Sequence, residues 1–451
     1  MKSATHVFRN YDIRGIVNQD FDLVWVERLG RACAAYFLAQ GHQCAILGHD
    51  CRPSSPAFLT ALRRGLSDSG VDCVCIGMVS TPALYFAVHD LHRAAGVMIT
   101  ASHNPPQYNG FKIWCGASTL YGEELQELRR IFTDGDFPQG RGLVSHLDIM
   151  PAYVDAICCR LQLKRPMKVV VDGGNGAGGP ACVAALTRMG AELVPLYCDP
   201  DGRFPNHHPD PTIEANMRDL IAAVQAEGAD VGFGLDGDGD RLGVVDGNGR
   251  LLAGDELLAI YAQDLLARKP GSRVIGDVKC SSRLFADLQA RGGKPEMWMT
   301  GHSLIKARMR ETNAQLAGEL SGHMFFADGW YGFDDAIYGA ARLLALLSAQ
   351  DVPLTELPGW PPAFTTREIQ IPCPEERKAA VIARAQEHFA RAYPVNRLDG
   401  ARVSFEHGWG LVRASNTQPV LVLRFEADSP ASLEAIRSEM EGVLHSWMEE
   451  A

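Results

Sequence analysis

No C-x-x-C pair occurs in this 451-residue chain, although it holds twelve cysteines. Cys73 and Cys75 are separated by one residue, and Cys158 and Cys159 are adjacent. Neither spacing suits a zinc site. Most cysteines sit in apolar stretches such as 71–76, where a free thiol behaves as a small hydrophobe. No run approaches the ~20 apolar residues of a membrane helix, and residues 1–7 carry no apolar signal region. A reducing cytoplasm is the expected compartment. Positive charge is also scarce: 43 Lys and Arg stand against 54 Asp and Glu, a formal net charge of −11. Such a surface does not attract nucleic acid or an anionic membrane, so neither is an expected partner. An anionic substrate must be collected by a local group of Arg, Lys and His. A G-x-S-x-G elbow is missing too, which weakens any hydrolase triad.

What is present is ordinary bulk and one unusual loop. The chain is 46% hydrophobic and 22% charged, as globular proteins are, and its length predicts three or four domains. The loop is 235–241, LDGDGDR, with Asp236, Asp238 and Asp240 at alternating positions and glycines between them. Residues 229–235 read as a strand entering a tight turn, where glycine folds back without a Cβ penalty. At ~4 Å and an effective dielectric near 20, each carboxylate pair costs on the order of 4 kcal/mol. A hard divalent cation removes that cost, and carboxylate oxygens suit Mg2+ or Ca2+ rather than zinc. Three protein ligands leave positions on Mg2+ open for a phosphate oxygen. An EF-hand would need Gly at its sixth position and Glu at its twelfth, where Arg241 and Gly247 stand. A solvated acidic turn is the remaining plain alternative.

Strand-like and helix-like segments alternate through the first two-thirds, which predicts an α/β architecture. A loose internal repeat runs through it. Strands 44–50, 168–172 and 273–277 each end in Asp, and each leads into a polar or glycine-rich loop and a helix. Downstream of each unit lies a polar loop, near Ser102, Asp236 and Glu319. Three copies of one α/β unit, each giving a loop to a shared cleft, is the economical reading. Turn-rich stretches at 134–142 and 246–249 and the linker 357–362 mark boundaries. The predicted units are 1–150, 151–252, 253–362 and a smaller α+β unit 363–451, with strands at 366–371 and 421–425 and two amphipathic helices.

Four segments carry candidate chemistry. Residues 100–105, TASHNP, follow the apolar strand 95–99 and present Ser102 at a sheet edge, where α/β sites form. A serine hydroxyl is a poor nucleophile without a basic or cationic neighbour, and His103 or Lys112 supplies one. The plain alternative is an Asn-Pro turn capped by Ser102. Serine, metal carboxylates and basic residues together are the parts for phosphoryl transfer through a phosphoserine. That group, carrying about −1.5 to −2 charges, would complete the metal's ligands. Residues 318–323, GELSGH, offer Glu319 and Ser321 to sugar hydroxyls and His323 as a proton shuttle, or form a surface Ser-Gly turn. Residues 413–417, RASNT, read as a phosphate loop or as a polar connection between strands. The run 171–179, VDGGNGAGG, contains G-x-G-x-x-G, with Asp199 about 20 residues on. Nothing else serves hydride transfer, so a tight strand-to-helix turn is the preferred reading.

Taken with 8–15 (FRNYDIRG) and 300–303 (TGHS), these motifs resemble the α-D-phosphohexomutases, in particular the bacterial phosphomannomutase/phosphoglucomutase group, in family order across nearly the whole chain. The resemblance implies four domains around a central cleft, three of repeated mixed α/β topology and a fourth, lid-like α+β domain. It implies Ser102 as the phosphorylated serine, and Asp236, Asp238 and Asp240 with Ser102 as ligands of one Mg2+. It implies Glu319 and Ser321 as sugar contacts. Arg413, Ser415, Asn416 and Thr417 would grip the phosphate that is not transferred. Tyr11, Arg14, His103, Lys112, Arg241, Lys279, Gly301, His302 and His323 fall at catalytic or substrate-contacting positions. Leu320 stands where methionine is usual, and phosphoglucosamine relatives usually carry glutamine there. The implied reaction moves a phosphoryl group between the 1- and 6-positions of glucose and mannose phosphates. It runs through a hexose 1,6-bisphosphate, with glucose 1,6-bisphosphate as activator; a monomer is expected, though no motif bears on the oligomeric state. Phosphoglucosamine mutase, a Mg2+-dependent sugar phosphatase and a silent sugar-phosphate binder are the alternatives.

Overall fold

The structure, a computed structural model, describes residues 5–415 and 419–449. Its first three sheets share one topology. In the first, strands Cys44–His49, Asp72–Met78 and Ala95–Ile99 are parallel, and Tyr108–Cys115 closes one side antiparallel to Ala95–Ile99. The second repeats this order with Lys168–Asp172, Glu192–Leu196, Val231–Leu235 and the antiparallel Leu242–Asp246. The third does so with Arg273–Asp277, Lys294–Trp298, Leu316–Gly318 and the antiparallel Met324–Phe326. The first sheet is extended by Ile13–Ile16, Ser118–Thr119 and Val144–His146.

The repeat expected from the strand-terminal aspartates is therefore real, and those aspartates have a local task. Asp50, Asp172 and Asp277 each accept the backbone N–H two residues on, from Arg52, Gly174 and Lys279. Such short-range bonds turn the chain out of the strand. Each unit then places its polar loop between its third parallel strand and the antiparallel fourth. Those connections are 100–107, 236–241 and 319–323, which hold Ser102, the aspartates and Glu319. Val231–Leu235 is buried at every residue, as a strand covered on both faces must be.

The fourth sheet is antiparallel, in the order Phe364–Thr365, Val420–Ala427, Gly408–Ala414, Ala401–Phe405, Val395–Asn396, with Ile369–Pro372 also on Val420–Ala427. Helices Glu375–Phe389 and Pro430–Glu449 cover it, and its apolar core is its own. By contrast, one apolar cluster joins the first three units, running from Leu84 through Phe233 to Tyr338. The fourth unit meets the third through a small apolar cluster of Val278, Met297, Leu398, Trp409 and Leu411 and through polar contacts. Arg402 Nη1 donates to the carbonyls of Val278 and Cys280 at 2.5 and 2.8 Å, and Arg424 Nη1 to that of Lys279 at 2.8 Å.

Candidate active site

The first and second unit loops meet at Ser102, and the third meets the second at Asp240. Ser102 has a φ of +49°, an unfavourable backbone for a side-chain-bearing residue. Arg52, fully buried, holds it there by donating to the carbonyls of Ser102, Asn104, Pro105 and Tyr108. Ser102 Oγ donates to Asp236 Oδ2 at 2.6 Å and lies 3.0 Å from His103 Nδ1. Burial, reinforced by Arg241 and Arg14, pushes His103 well below the usual histidine range, so its ring is neutral.

Asp236, Asp238 and Asp240 are fully buried, with one oxygen from each within 4.8 Å of the others. Asp236 Oδ1 accepts the backbone N–H groups of Asp240 and Arg241. Burial and the two neighbouring aspartates raise its carboxyl well above the ordinary range. Lys112 Nζ bridges the other two, donating to Asp238 Oδ2 at 2.7 Å and to Asp240 Oδ2. Thr81 Oγ1 also donates to Asp238 Oδ2, at 2.5 Å. Asp238 Oδ1 is buried without a partner among the described residues. All-oxygen donors, three buried carboxylates and an orphaned oxygen fit a hard divalent cation. The loop reaches Ser102 because residue 237 is glycine: a Cβ there would lie 2.4 Å from the Ser102 carbonyl oxygen. The glycine run 173–179 serves the same end, since a Cβ on Gly176 would lie 2.8 Å from the Gly237 oxygen. The G-x-G-x-x-G pattern is thus a bed for the aspartate loop.

His323 joins the second and third loops. Its Nδ1 lies 2.6 Å from Glu319 Oε2 and its Nε2 3.2 Å from Asp240 Oδ1. Burial works to lower its pKa, but Asp240 and Glu319 outweigh it and lift the ring to about 9. Glu319 Oε1 accepts the Gly301 N–H at 2.6 Å, and Ser321 Oγ lies 3.2 Å from His323 Nδ1. Arg241 Nε approaches His323 Nε2 at 3.4 Å. Asp334 also comes within 4.8 Å of Asp240 and His323, but Lys306 occupies it at 2.7 Å. His302 stands between Tyr11 and His323, with ring centroids 5.5 and 5.7 Å away.

The remaining expected residues lie on the rim. Arg14 donates to Asp12 and to Asn104 Oδ1 at 2.6 and 2.7 Å. Lys279 Nζ donates to Glu368 at 2.7 Å. Arg413 Nε donates to Asp399 Oδ2 at 3.0 Å, while its buried Nη2 has no partner among the described residues. Asp399 Oδ2 also accepts the Thr300 N–H at 3.0 Å, tying this arginine to the third unit. Ser415 is buried, and its carbonyl accepts from Lys378. Asn416 and Thr417 lie outside the described residues. Arg52, Thr81, Lys306 and Asp334 were not among the sequence-derived candidates. Only the D-x-R at 50–52 offered a signal, a charge pair at a strand end.

Comparison with known proteins agrees across the chain. Family profiles described as phosphoglucomutase/phosphomannomutase α/β/α domains I, II and III match residues 5–139, 151–249 and 253–362, and that family's C-terminal domain matches 368–443. A phosphomannomutase/phosphoglucomutase of Pseudomonas aeruginosa is 48% identical over 435 residues, covering 96% of this chain and 94% of that protein. A phosphoglucomutase of Neisseria meningitidis is 44% identical over 448 residues, covering 98% and 97%. A crystal structure of a phosphoglucomutase/phosphomannomutase family protein from Burkholderia thailandensis superposes with a TM-score of 0.93 at 42% identity, covering 99% and 98%. Among the described residues no helix is long and apolar enough to cross a membrane.

Proposed function

The chain belongs to the phosphoglucomutase/phosphomannomutase family, and from that premise we propose how its residues divide the work. The reaction is reversible phosphoryl transfer between the 1- and 6-positions of glucose and mannose phosphates. Phosphorylated Ser102 gives its phosphoryl group to the free hydroxyl of the sugar phosphate, forming a hexose 1,6-bisphosphate. The bisphosphate turns over and returns its other phosphoryl group to the serine. In each transfer the P–O bond to one oxygen breaks as that to the other forms; the sugar hydroxyl's proton ends on Ser102 Oγ in the first, and the Ser102 hydroxyl's proton ends on the released sugar oxygen in the second. His103, 3.0 Å from that oxygen, supports the charge passing through it. Lys112 and His323 are the groups we assign to the proton's passage.

Asp236, Asp238, Asp240 and Ser102 would hold one Mg2+, which when bound neutralises charge on the transferring phosphoryl oxygens. Arg241 serves the same charge from the protein side. Glu319 and Ser321 take sugar hydroxyls in both poses, with Tyr11, Arg14, Lys279, Gly301 and His302 around them. Arg413 and Ser415, with Asn416 and Thr417, hold the idle phosphate. The unpartnered Arg413 Nη2 supports that role. Glucose 1,6-bisphosphate primes the serine, and the enzyme works as a cytoplasmic monomer. Its cysteines, all free thiols, suit that compartment.

The observation that carries this reading is the 2.6 Å contact between Ser102 Oγ and Asp236 Oδ2, made by two loops 134 residues apart. It is tested by assaying glucose 1-phosphate and mannose 1-phosphate side by side, with Mg2+ and trace glucose 1,6-bisphosphate. Both are expected to give the 6-phosphates. Turnover of glucosamine phosphate alone would make it an amino-sugar mutase, and release of inorganic phosphate a phosphatase.

A further inference from the structure

His302 opens the helix His302–Thr312, and Lys306 sits one turn on, where i and i+4 side chains meet. Lys306 Nζ donates to Asp334 Oδ1 at 2.7 Å and lies 3.1 Å from His302 Nδ1. All three residues are buried, at 4, 3 and 0% exposure for His302, Lys306 and Asp334. The Tyr85 ring lies 4.5 Å from the ammonium and closes the group off. An ammonium has donors and no acceptor. The His302 nitrogen facing it is therefore the acceptor, and the ring's one proton sits on Nε2.

This reverses what the neighbouring carboxylate would do alone. A carboxylate beside a histidine normally takes the Nδ1–H and leaves Nε2 bare, which is the arrangement of a general base. Here Asp334 Oδ2 is 3.7 Å from His302 Nδ1, beyond hydrogen-bond reach. Lys306 stands between the two groups and bonds both. Ser303 Oγ, itself tied to Thr119 at 2.7 Å, lies 3.5 Å from the same nitrogen and is too far to compete. His302 Nε2 is buried and finds no partner among the described residues.

We propose that Lys306 is a positioning residue that locks His302 in its Nε2–H tautomer, so that His302 offers the substrate a hydrogen-bond donor and not a base. The recipient is an oxygen of the hexose phosphate, which rests on the functional reading above; the tautomer does not depend on it. Asp334 in turn holds Lys306 in place.

The test uses the full ligand-free chain with 15N-labelled histidine, the His302 signals being assigned from their loss in His302→Gln. The expected wild-type spectrum shows a bare Nδ1 and a protonated Nε2. A protonated Nδ1 overturns the proposal whether or not any variant folds. In Lys306→Met the proton is expected to move to Nδ1, facing Asp334. Lys306→Gln, which keeps a neutral donor, should retain the Nε2–H form. An unchanged tautomer in Lys306→Met also overturns it. Kinetics supply a second arm. Lys306→Met and His302→Gln should each lower kcat/KM by roughly tenfold, with less than about twofold added when Lys306→Met is placed on His302→Gln. An equal loss in both backgrounds would mean that Lys306 acts on something else. The expected tautomer in a chain without mutase activity would sink the functional reading alone.

Discussion

A guanidinium buried with one end unpartnered suits the phosphate role proposed for Arg413, and among the described residues it is held that way. Asp399 takes its Nε, and Nη2 is left over. Arg413→Ala should raise KM for hexose phosphates by about ten- to a hundredfold, as a charge-assisted pair of roughly 1.5–3 kcal/mol would. An unchanged KM would remove Arg413 from the phosphate site. His89 gives a prediction about stability. Its ring stacks on Tyr331 and Phe333 and meets Trp114 edge-on, and its buried Nε2 has no partner among the described residues. Burial lowers its pKa below the ordinary 6.5. The unfolded chain then binds the proton more readily, so wild-type stability falls as pH drops below about 6.5. His89→Phe keeps the aromatic packing without the proton. Its melting temperature relative to wild type should rise on going from pH 8 to pH 5, and parallel profiles would count against the assignment. At this scale the sequence was legible wherever a motif is local. Ser102, the three aspartates and Glu319 each announce themselves within six residues. Arg52, Thr81 and Asp334 do not, because each acts on a partner at least 28 residues away, and Lys306 does not because its bond to His302, one turn back, gains meaning only from Asp334, 28 residues on.

The element that repeats is a strand, a polar loop and an antiparallel return strand, three times over. Each loop sits at the same place in its sheet, so stacking the units brings Ser102, Asp236 and Glu319 toward one point. The strands were legible from their apolar runs and terminal aspartates. The contact between loops was not, because it depends on how close two backbones come. Gly237 shows this: alanine there would place a carbon 2.4 Å from the Ser102 carbonyl oxygen. Gly237→Ala should lower melting temperature by the equivalent of about 1–3 kcal/mol and weaken Mg2+ binding in titration calorimetry. Wild-type Mg2+ affinity would show that the loop approach is not needed. The glycine run at 173–179 resembled a dinucleotide fingerprint for a related reason. Both structures need backbone without side chains, here so that a loop rather than a pyrophosphate can lie against it.

As a whole molecule, three units share one apolar cluster and the fourth keeps its own core. The joint to the fourth combines a small apolar cluster around Val278, Trp409 and Leu411 with the bonds of Arg402 and Arg424 to the carbonyls of 278–280. Such an interface favours relative domain motion. Arg413 belongs to this unit, so binding a sugar phosphate should draw it toward the other three. Small-angle scattering should show a smaller radius of gyration with glucose 1-phosphate, and an unchanged radius would argue for a rigid site. The net charge of −11 makes the gathering of cations at the site the more notable. In the proposed function Arg14, Lys112, Arg241, Lys279 and Arg413 are the cations that meet a hexose bisphosphate, four of them held by Asp12, Asp238, Glu368 and Asp399. The central claim is that its phosphate passes through one serine. The most direct measurement is to label the protein with 32P from glucose 1,6-bisphosphate, map the labelled peptide, and chase with unlabelled glucose 1-phosphate. The account predicts label on Ser102 that leaves as hexose bisphosphate and is absent from Ser102→Ala. Label on another residue, or label leaving as inorganic phosphate, would contradict it.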